Sequence, residues 1–299
     1  MKKQSGTLLL ATLIFSFGFP NSLQAENPRD AYWLLETSAC QGCDLSGATL
    51  RGIDLGNINA NLQEANFRGA DLSQANLEGA NLERADLSET QLAGTLLANA
   101  NLAQANLSGA NLRGADLQGA ILTETQLSNA TLFMISLENG RLENANFSGS
   151  TLKNTYLGGA NLQNASFAEA QLQNVFLVGA NLIGANLRNA TLRDVKLRDA
   201  VLVNADLEGA QMRAISLAFA NLSESNLSDA NLERSELAHA NLENANLSGS
   251  NLVGANLSHA NLQGANLTGA NLEEAYLFQT NLCGAILPEG DRAECPQED

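Results

Sequence analysis

Residues 60–84 read Ala60-Asn61-Leu62-Gln63-Glu64, Ala65-Asn66-Phe67-Arg68-Gly69, Ala70-Asp71-Leu72-Ser73-Gln74, Ala75-Asn76-Leu77-Glu78-Gly79 and Ala80-Asn81-Leu82-Glu83-Arg84. The same phrase of five runs without a slip to Leu287. Its centre falls at 46 successive positions; Leu fills 42, and Phe67, Phe147, Phe167 and Met212 fill the rest. Two residues before the centre stands Ala in 32 of the 46 units, and Asn or Asp lies between them in 26. On an α-helix five residues advance about 500°, so the centres would form no stripe. On a straight strand an odd spacing would send alternate centres to opposite faces. The chain must therefore turn once per unit, with Ala and Leu inward, Asn outward and the last two residues at a corner. Four corners close a square of about 20 residues, and squares stack into a solenoid.

Composition agrees with a repeat rather than a globule. The chain has 299 residues, 16 Lys and Arg against 32 Asp and Glu, and a formal charge of −16. That charge argues against nonspecific binding to nucleic acid or anionic lipid. An apolar fraction of 44% is too high for a disordered acidic chain. An aromatic fraction of 5% is too low for an ordinary globular core.

The Ala-Asn-Leu-x-x unit resembles the pentapeptide-repeat family over nearly the whole chain after residue 44. The resemblance implies an all-β solenoid, a right-handed quadrilateral β-helix. Its 46 units give about 12 coils, a rod roughly 55 Å long at the usual strand spacing. Leu45, Leu50 and Leu55 share the period but are out of phase by two with the later centres. Ile58, Ala60 and Leu62 then alternate, so one longer side is expected to absorb the shift.

Four segments follow. Residues 1–25 read as a signal peptide: Lys2 and Lys3, an apolar run at 7–19, and Ser22-Leu23-Gln24-Ala25 before the cut. That run is too short to span a bilayer, so a soluble, exported product with no membrane insertion is expected. Residues 26–44 form an N-terminal cap. Asn27-Pro28 and Asp30 start a helix over 28–38, with Ala31, Leu34, Leu35 and Ser38 on one face and Trp33 as a plug. Residues 45–287 are the β-helix. Residues 288–299 are a capping tail with five acids against Arg292, expected to discourage end-to-end stacking and leave a monomer.

Cys40, Cys43, Cys283 and Cys295 allow three pairings. A disulfide needs Cα atoms within about 7 Å, and the two halves of the set lie at opposite ends of the rod. Only Cys40–Cys43 and Cys283–Cys295 survive, and a four-Cys zinc site is excluded. Cys40-Gln41-Gly42-Cys43 has the spacing of a redox motif but no βαβ context. The opening C-x-x-C-D-L at residues 40–45 resembles exported cyanobacterial members of the family, which implies periplasm or thylakoid lumen.

Chemistry is thin. No phosphate loop, dinucleotide fingerprint, zinc-protease motif or nucleophile elbow occurs, and the carboxylates are scattered. No enzyme activity and no cofactor are expected. His239 and His259, one full circuit of the square apart, should stack in one outward column. Two such imidazoles suit a transition metal, but two surface histidines in a tolerant repeat is the preferred reading.

Sorting the units by four isolates one wall. Where the centres are Leu77, Leu97 and so on to Leu277 (the fourth wall), 7 of 11 small positions are not Ala, among them Ile135, Val175, Val195 and Ile215. The Asn position there is kept in only 3 of 11. The preceding wall carries the ladder Thr131, Thr151, Gln171, Thr191 and Gln211, suited to flat β structure. An extended sheet surface is therefore expected over residues 130–220. It carries Phe133, Met134, Tyr156, Phe176, Val178 and Phe219, with Lys153, Arg193, Lys196, Arg198 and Arg213 among them. Such a face suits a protein partner. The family resemblance implies an alternative, a DNA mimic that binds topoisomerases; high negative charge suits it and export does not. Small-angle scattering should show an elongated monomer and circular dichroism a β-rich spectrum; a compact globule or a helical spectrum would overturn the five-residue reading.

Overall fold

In a computed structural model of the chain, residues 27–37, 39–56 and 60–295 are described. The signal segment, Ser38, Ile58 and residues 296–299 of the tail lie outside them. The repeat builds a right-handed quadrilateral β-helix whose coils pair in parallel, from Ala39↔Asn61 through Asn266↔Ile286.

One unit shows how. The Leu77 N–H donates to the Leu96 carbonyl at 2.7 Å and the Gly79 N–H to Ala98 at 2.9 Å, both in the following coil. The Asn76 N–H donates back to Ile53 at 2.8 Å. The Ala80 N–H closes the corner on the Leu77 carbonyl at 3.0 Å. The second corner residue carries positive φ, +66° at Gly79 and +58° at Glu64, as a type II turn requires. Asn suits its place because its side chain bonds twice. Asn241 Oδ1 accepts the Glu243 N–H at 3.2 Å, and Asn241 Nδ2 donates to Asn221 Oδ1 one coil back at 3.2 Å. This is an Asx turn extended into a ladder.

Inside, the Leu and Ala columns are buried from Ala60 to Ala270, up to the last coil, and Phe147 stacks on Phe167 at 4.7 Å. Where Thr takes the Ala place, its hydroxyl is satisfied internally, as Thr95 Oγ1 is by the Leu72 carbonyl at 2.8 Å. That bond removes the penalty for a buried hydroxyl.

The phase shift has its structural counterpart. The first four pairings, as in Asp54↔Asn76, enclose a longer circuit than the later ones, as in Asn61↔Asn81. The two extra residues of the first coil thus fall in the chain between the Asp54 and Asn61 pairings.

On the third wall the pairing widens into a four-stranded parallel sheet: β1 Thr131–Phe133, β2 Thr151–Lys153, β3 Gln171–Gln173 and β4 Thr191–Arg193. Thr131, Thr151, Gln171 and Thr191 are in register. Gln211 joins by a single bridge. The cause lies one corner on. Ile135, Thr155, Val175, Val195 and Ile215 replace Ala, and none closes the corner bond, which Ser235 in the following coil makes again at 3.0 Å. A branched side chain crowds the turn and favours extended backbone. Thr90, Thr95 and Thr125, among Ala neighbours, keep that bond at 3.2–3.3 Å. Thr155 opens because it is stacked between Ile135 and Val175, and adjacent coils share one corner geometry.

Helix α1, Pro28–Thr37, covers the first coil with Ala31 and Leu34. Asp30 Oδ2 accepts the Asp44 N–H at 2.9 Å, which fixes the rotation of the helix. That rotation corrects two expectations: Trp33 is 57% exposed and plugs nothing, and Leu35 faces water. Both cysteine pairs are bonded, Cys40–Cys43 with Cα atoms 5.2 Å apart and Cys283–Cys295 at 4.3 Å. Among the described residues no helix is long and apolar enough to cross a membrane. Non-reducing peptide mapping should return these two bridges. Reduction should speed amide exchange at the end coils while the central coils stay protected, since each coil contacts only its neighbours; uniform loss of protection would contradict the stacked architecture.

Candidate interaction surface

The side chain after each centre of the third wall points outward. In consecutive coils these are Arg113, Phe133, Lys153, Gln173, Arg193 and Arg213. The Thr and Gln ladder runs beside them. Between the two columns lies a groove of about 500 Å³ lined by Gln91, Asn111, Arg113, Thr131, Phe133, Thr151 and Lys153. It continues past Gln171 and Gln173 to Arg193.

The fourth wall meets the third along the corner of Met134, 60% exposed. There Tyr156 stacks on Phe176 with centroids 5.0 Å apart and planes within 8°. Lys196 pairs with Phe176 through the backbone and extends the column. Val178 and Arg198 occupy the next outward column. The Arg198 guanidinium sits 4.7 Å from the Phe219 ring on the following corner. The eleven residues singled out from the sequence thus lie on two adjoining walls and their corners. Arg113 belongs with them and escaped notice. Its guanidinium covers the Phe133 ring at 4.7 Å; its place one coil before Phe133 in the same column was the available signal.

Six cations gather on this strip: Arg113, Lys153, Arg193, Lys196, Arg198 and Arg213. Arg198 pairs with Asp199 at 3.2 Å and Arg213 with Glu233 at 3.1 Å. Lys153, Arg193 and Lys196 make no ion pair among the described residues, although the chain carries a charge of −16. On the second wall, by contrast, Arg188 is clamped by Glu208 at 2.5 and 2.7 Å and by Asp206 at 3.2 Å. Hydrogen bonds from Glu208 first, then Asp206, raise its pKa above the ordinary Arg value. That arginine is a strut between coils.

His239 and His259 stack at 4.7 Å with planes within 2°. They continue a column from Phe219, 4.7 Å from His239, to Phe278, which meets His259 edge-on at 5.6 Å. The imidazoles act there as aromatic plates. Among the described residues no three His, Cys, Asp or Glu side chains gather as a metal site.

A family model described as pentapeptide repeats matches residues 60–98, 95–132, 210–252 and 250–287, and a pentapeptide repeat region model matches residues 157–227. Among solved structures, HetL from Nostoc sp. strain PCC 7120, titled as involved in heterocyst differentiation regulation, is 36% identical. The match covers 79% of this chain and 95% of HetL, with a TM-score of 0.26. Rfr23 from Cyanothece 51142 is 40% identical over 36% of this chain and 86% of its own, with a TM-score of 0.35. QnrB1, a plasmid-mediated fluoroquinolone resistance protein, is 15% identical over 77% of this chain and 88% of its own, with a TM-score of 0.25. No curated protein sequence matches.

Two adjacent residues test the wall assignment. Leu177 is buried, while Phe176 is half-buried against Tyr156. Leu177→Asp should cost about 3–5 kcal/mol, the penalty of an unpaired buried charge. Phe176→Asp should cost about 0.5–1.5 kcal/mol, the worth of one aromatic stack. Equal losses in denaturant midpoint would show the inside and outside columns to be misassigned.

Proposed function

The chain belongs to the pentapeptide-repeat family, and on that premise we propose that it is an exported, non-catalytic scaffold that captures a protein partner on its adjoining third and fourth walls. The carrying observation is the strip between Phe133 and Phe219. There, among the described residues, Lys153, Arg193 and Lys196 stand without ion pairs beside the Tyr156–Phe176 stack, on a chain of net charge −16. Aromatic side chains, Met and Arg side by side are the composition of an interface centre, with lysines suited to its polar rim. A complementary partner brings carboxylates to the three cations and apolar groups to Met134, Phe176 and Val178. Disulfides at both ends suit an oxidising compartment, in keeping with periplasm or thylakoid lumen.

A topoisomerase-binding DNA mimic is the weaker reading. It needs columns of carboxylates, and the most distinctive surface here carries free cations. The likeness to QnrB1, at 15% identity and a TM-score of 0.25, carries no argument for it.

Affinity capture from periplasmic or lumenal extract tests the proposal. Wild-type protein should retain one partner, more weakly as salt rises. Phe176→Asp and the double change Lys153→Glu with Lys196→Glu should each lose it without loss of thermal stability beyond that of one aromatic stack. Equal capture by wild type and both variants would overturn this surface. Recovery of the mature protein with the cytosolic fraction would overturn export.

A further inference from the structure

Among the described residues the C-terminal end of the rod is closed over only half of its square. The tail at 286–293 folds back over the first and second walls, where Ile286 pairs antiparallel with Arg292. The Ala293 N–H donates to the Ala285 carbonyl at 2.8 Å, and the Gly284 N–H donates to Ala293 at 3.0 Å. Among the described residues nothing comparable lies over the third and fourth walls. One coil earlier the Leu252 and Leu257 N–H groups donate to Asn271 and Tyr276, both at 2.8 Å. In the last coil the corresponding N–H groups of Leu272 and Leu277 have no partner among the described residues, nor do those of Glu274 and Gln279. The Ala270 and Ala275 carbonyls are likewise unpaired among them.

This edge is also apolar. Leu277, a repeat centre, is 37% exposed, whereas Leu257 is fully buried. Tyr276 and Phe278 flank it at 57% and 53% exposure, with ring centroids 6.2 Å apart. An uncovered sheet edge with alternating donors and acceptors is a template for one more strand. The chain's own tail shows, on the neighbouring walls, that this end accepts an antiparallel segment. Charge selects the occupant. Residues 271–295 carry Glu273, Glu274, Glu289, Asp291 and Glu294 against Arg292. A second copy docking end to end would set these carboxylates against their equals. Residues 296–299, Pro-Gln-Glu-Asp, would add more of the same sign.

We propose that the open half of the C-terminal end binds an extended, cationic polypeptide segment of a partner protein. The segment adds as a strand along Ala270–Gln279, sets alternate apolar side chains against Leu277 and Phe278, and points its lysines or arginines at the acidic rim. The site lies beyond the coils of the lateral partner surface, so the two stand or fall separately.

The test uses the full disulfide-bonded protein and a fluorescein-labelled peptide alternating lysine with valine. Two controls replace lysine by glutamate or methylate alternate backbone nitrogens. Anisotropy should rise saturably for the lysine peptide alone and weaken with salt. Bound peptide should slow exchange at the amides of Leu272, Glu274, Leu277 and Gln279. Phe278→Ser should weaken binding about tenfold, the loss of one aromatic anchor, with a fall in thermal stability no larger than the loss of its ring contacts to His259 and Tyr276, and Glu274→Lys should weaken it at low salt only. Absent binding, equal binding of either control, or protection spread over other coils overturns the proposal. So does slow exchange at these four amides in the free protein, relieved by dilution if a second copy covers them or by removal of residues 296–299 if the tail does.

Discussion

The structure depends on a backbone amide whose partner lies one coil away. In each unit the centre and the second corner residue donate forward, and the Asn position donates back. None of these bonds can form until the chain has completed a circuit and returned. A single coil therefore has almost no hydrogen bonding of its own beyond its corner bonds. Its buried side chains offset only part of the entropy of fixing its backbone. Stability resides in the stacking, so every coil must offer its neighbours the same register. That requirement explains why the centre never slips across 46 units, and why Thr155 follows Ile135 and Val175 into the open-corner geometry.

Once the interior is committed to stacking, the outward columns are free to carry chemistry. Adjacent coils place equivalent side chains a strand spacing apart, so like residues stack: Tyr156 on Phe176, and Phe219 on His239 on His259. Opposite charges pair along the same columns, as Arg188 does with Glu208. On the third and fourth walls Lys153, Arg193 and Lys196 make no such pair among the described residues. They lie on or beside the coils whose branched residues flatten the third wall. Flat backbone and accessible cations thus occur together over the same coils.

Much of this was legible before any coordinates, for a physical reason. The period of five is a covalent fact, and only one inward residue in five can be a large apolar centre if the chain turns at every unit. The lateral strip was legible because it breaks that period's preferences. The ends were read less well. Size alone marks Trp33 as a plug; the Asp30 carboxylate, bonded to the Asp44 N–H, turns Ala31 and Leu34 inward instead. The half-open C-terminal end was invisible because the tail after Leu287 obeys no period. Nothing in residues 288–295 announces that the returning strand stops at two walls. Arg113 lies outside the expected surface because that surface begins at residue 130; it belongs one coil earlier, and its contact with the Phe133 ring joins it to the strip.

Because every coil sits in fixed register on the next, such a rod can change length only in particular steps. Loss of one whole coil between the strip and the C-terminal end would draw the two together by about 4.8 Å, one strand spacing. Each would stay on its own wall, and no column would be broken. Loss of a single unit of five would leave the interior as apolar as before, yet turn everything beyond it by a quarter circuit. The strip and the open end would then face different directions. The rod behaves as a ruler graduated in whole coils, along which the distance between two surfaces can be reset in steps while their relative bearing is kept.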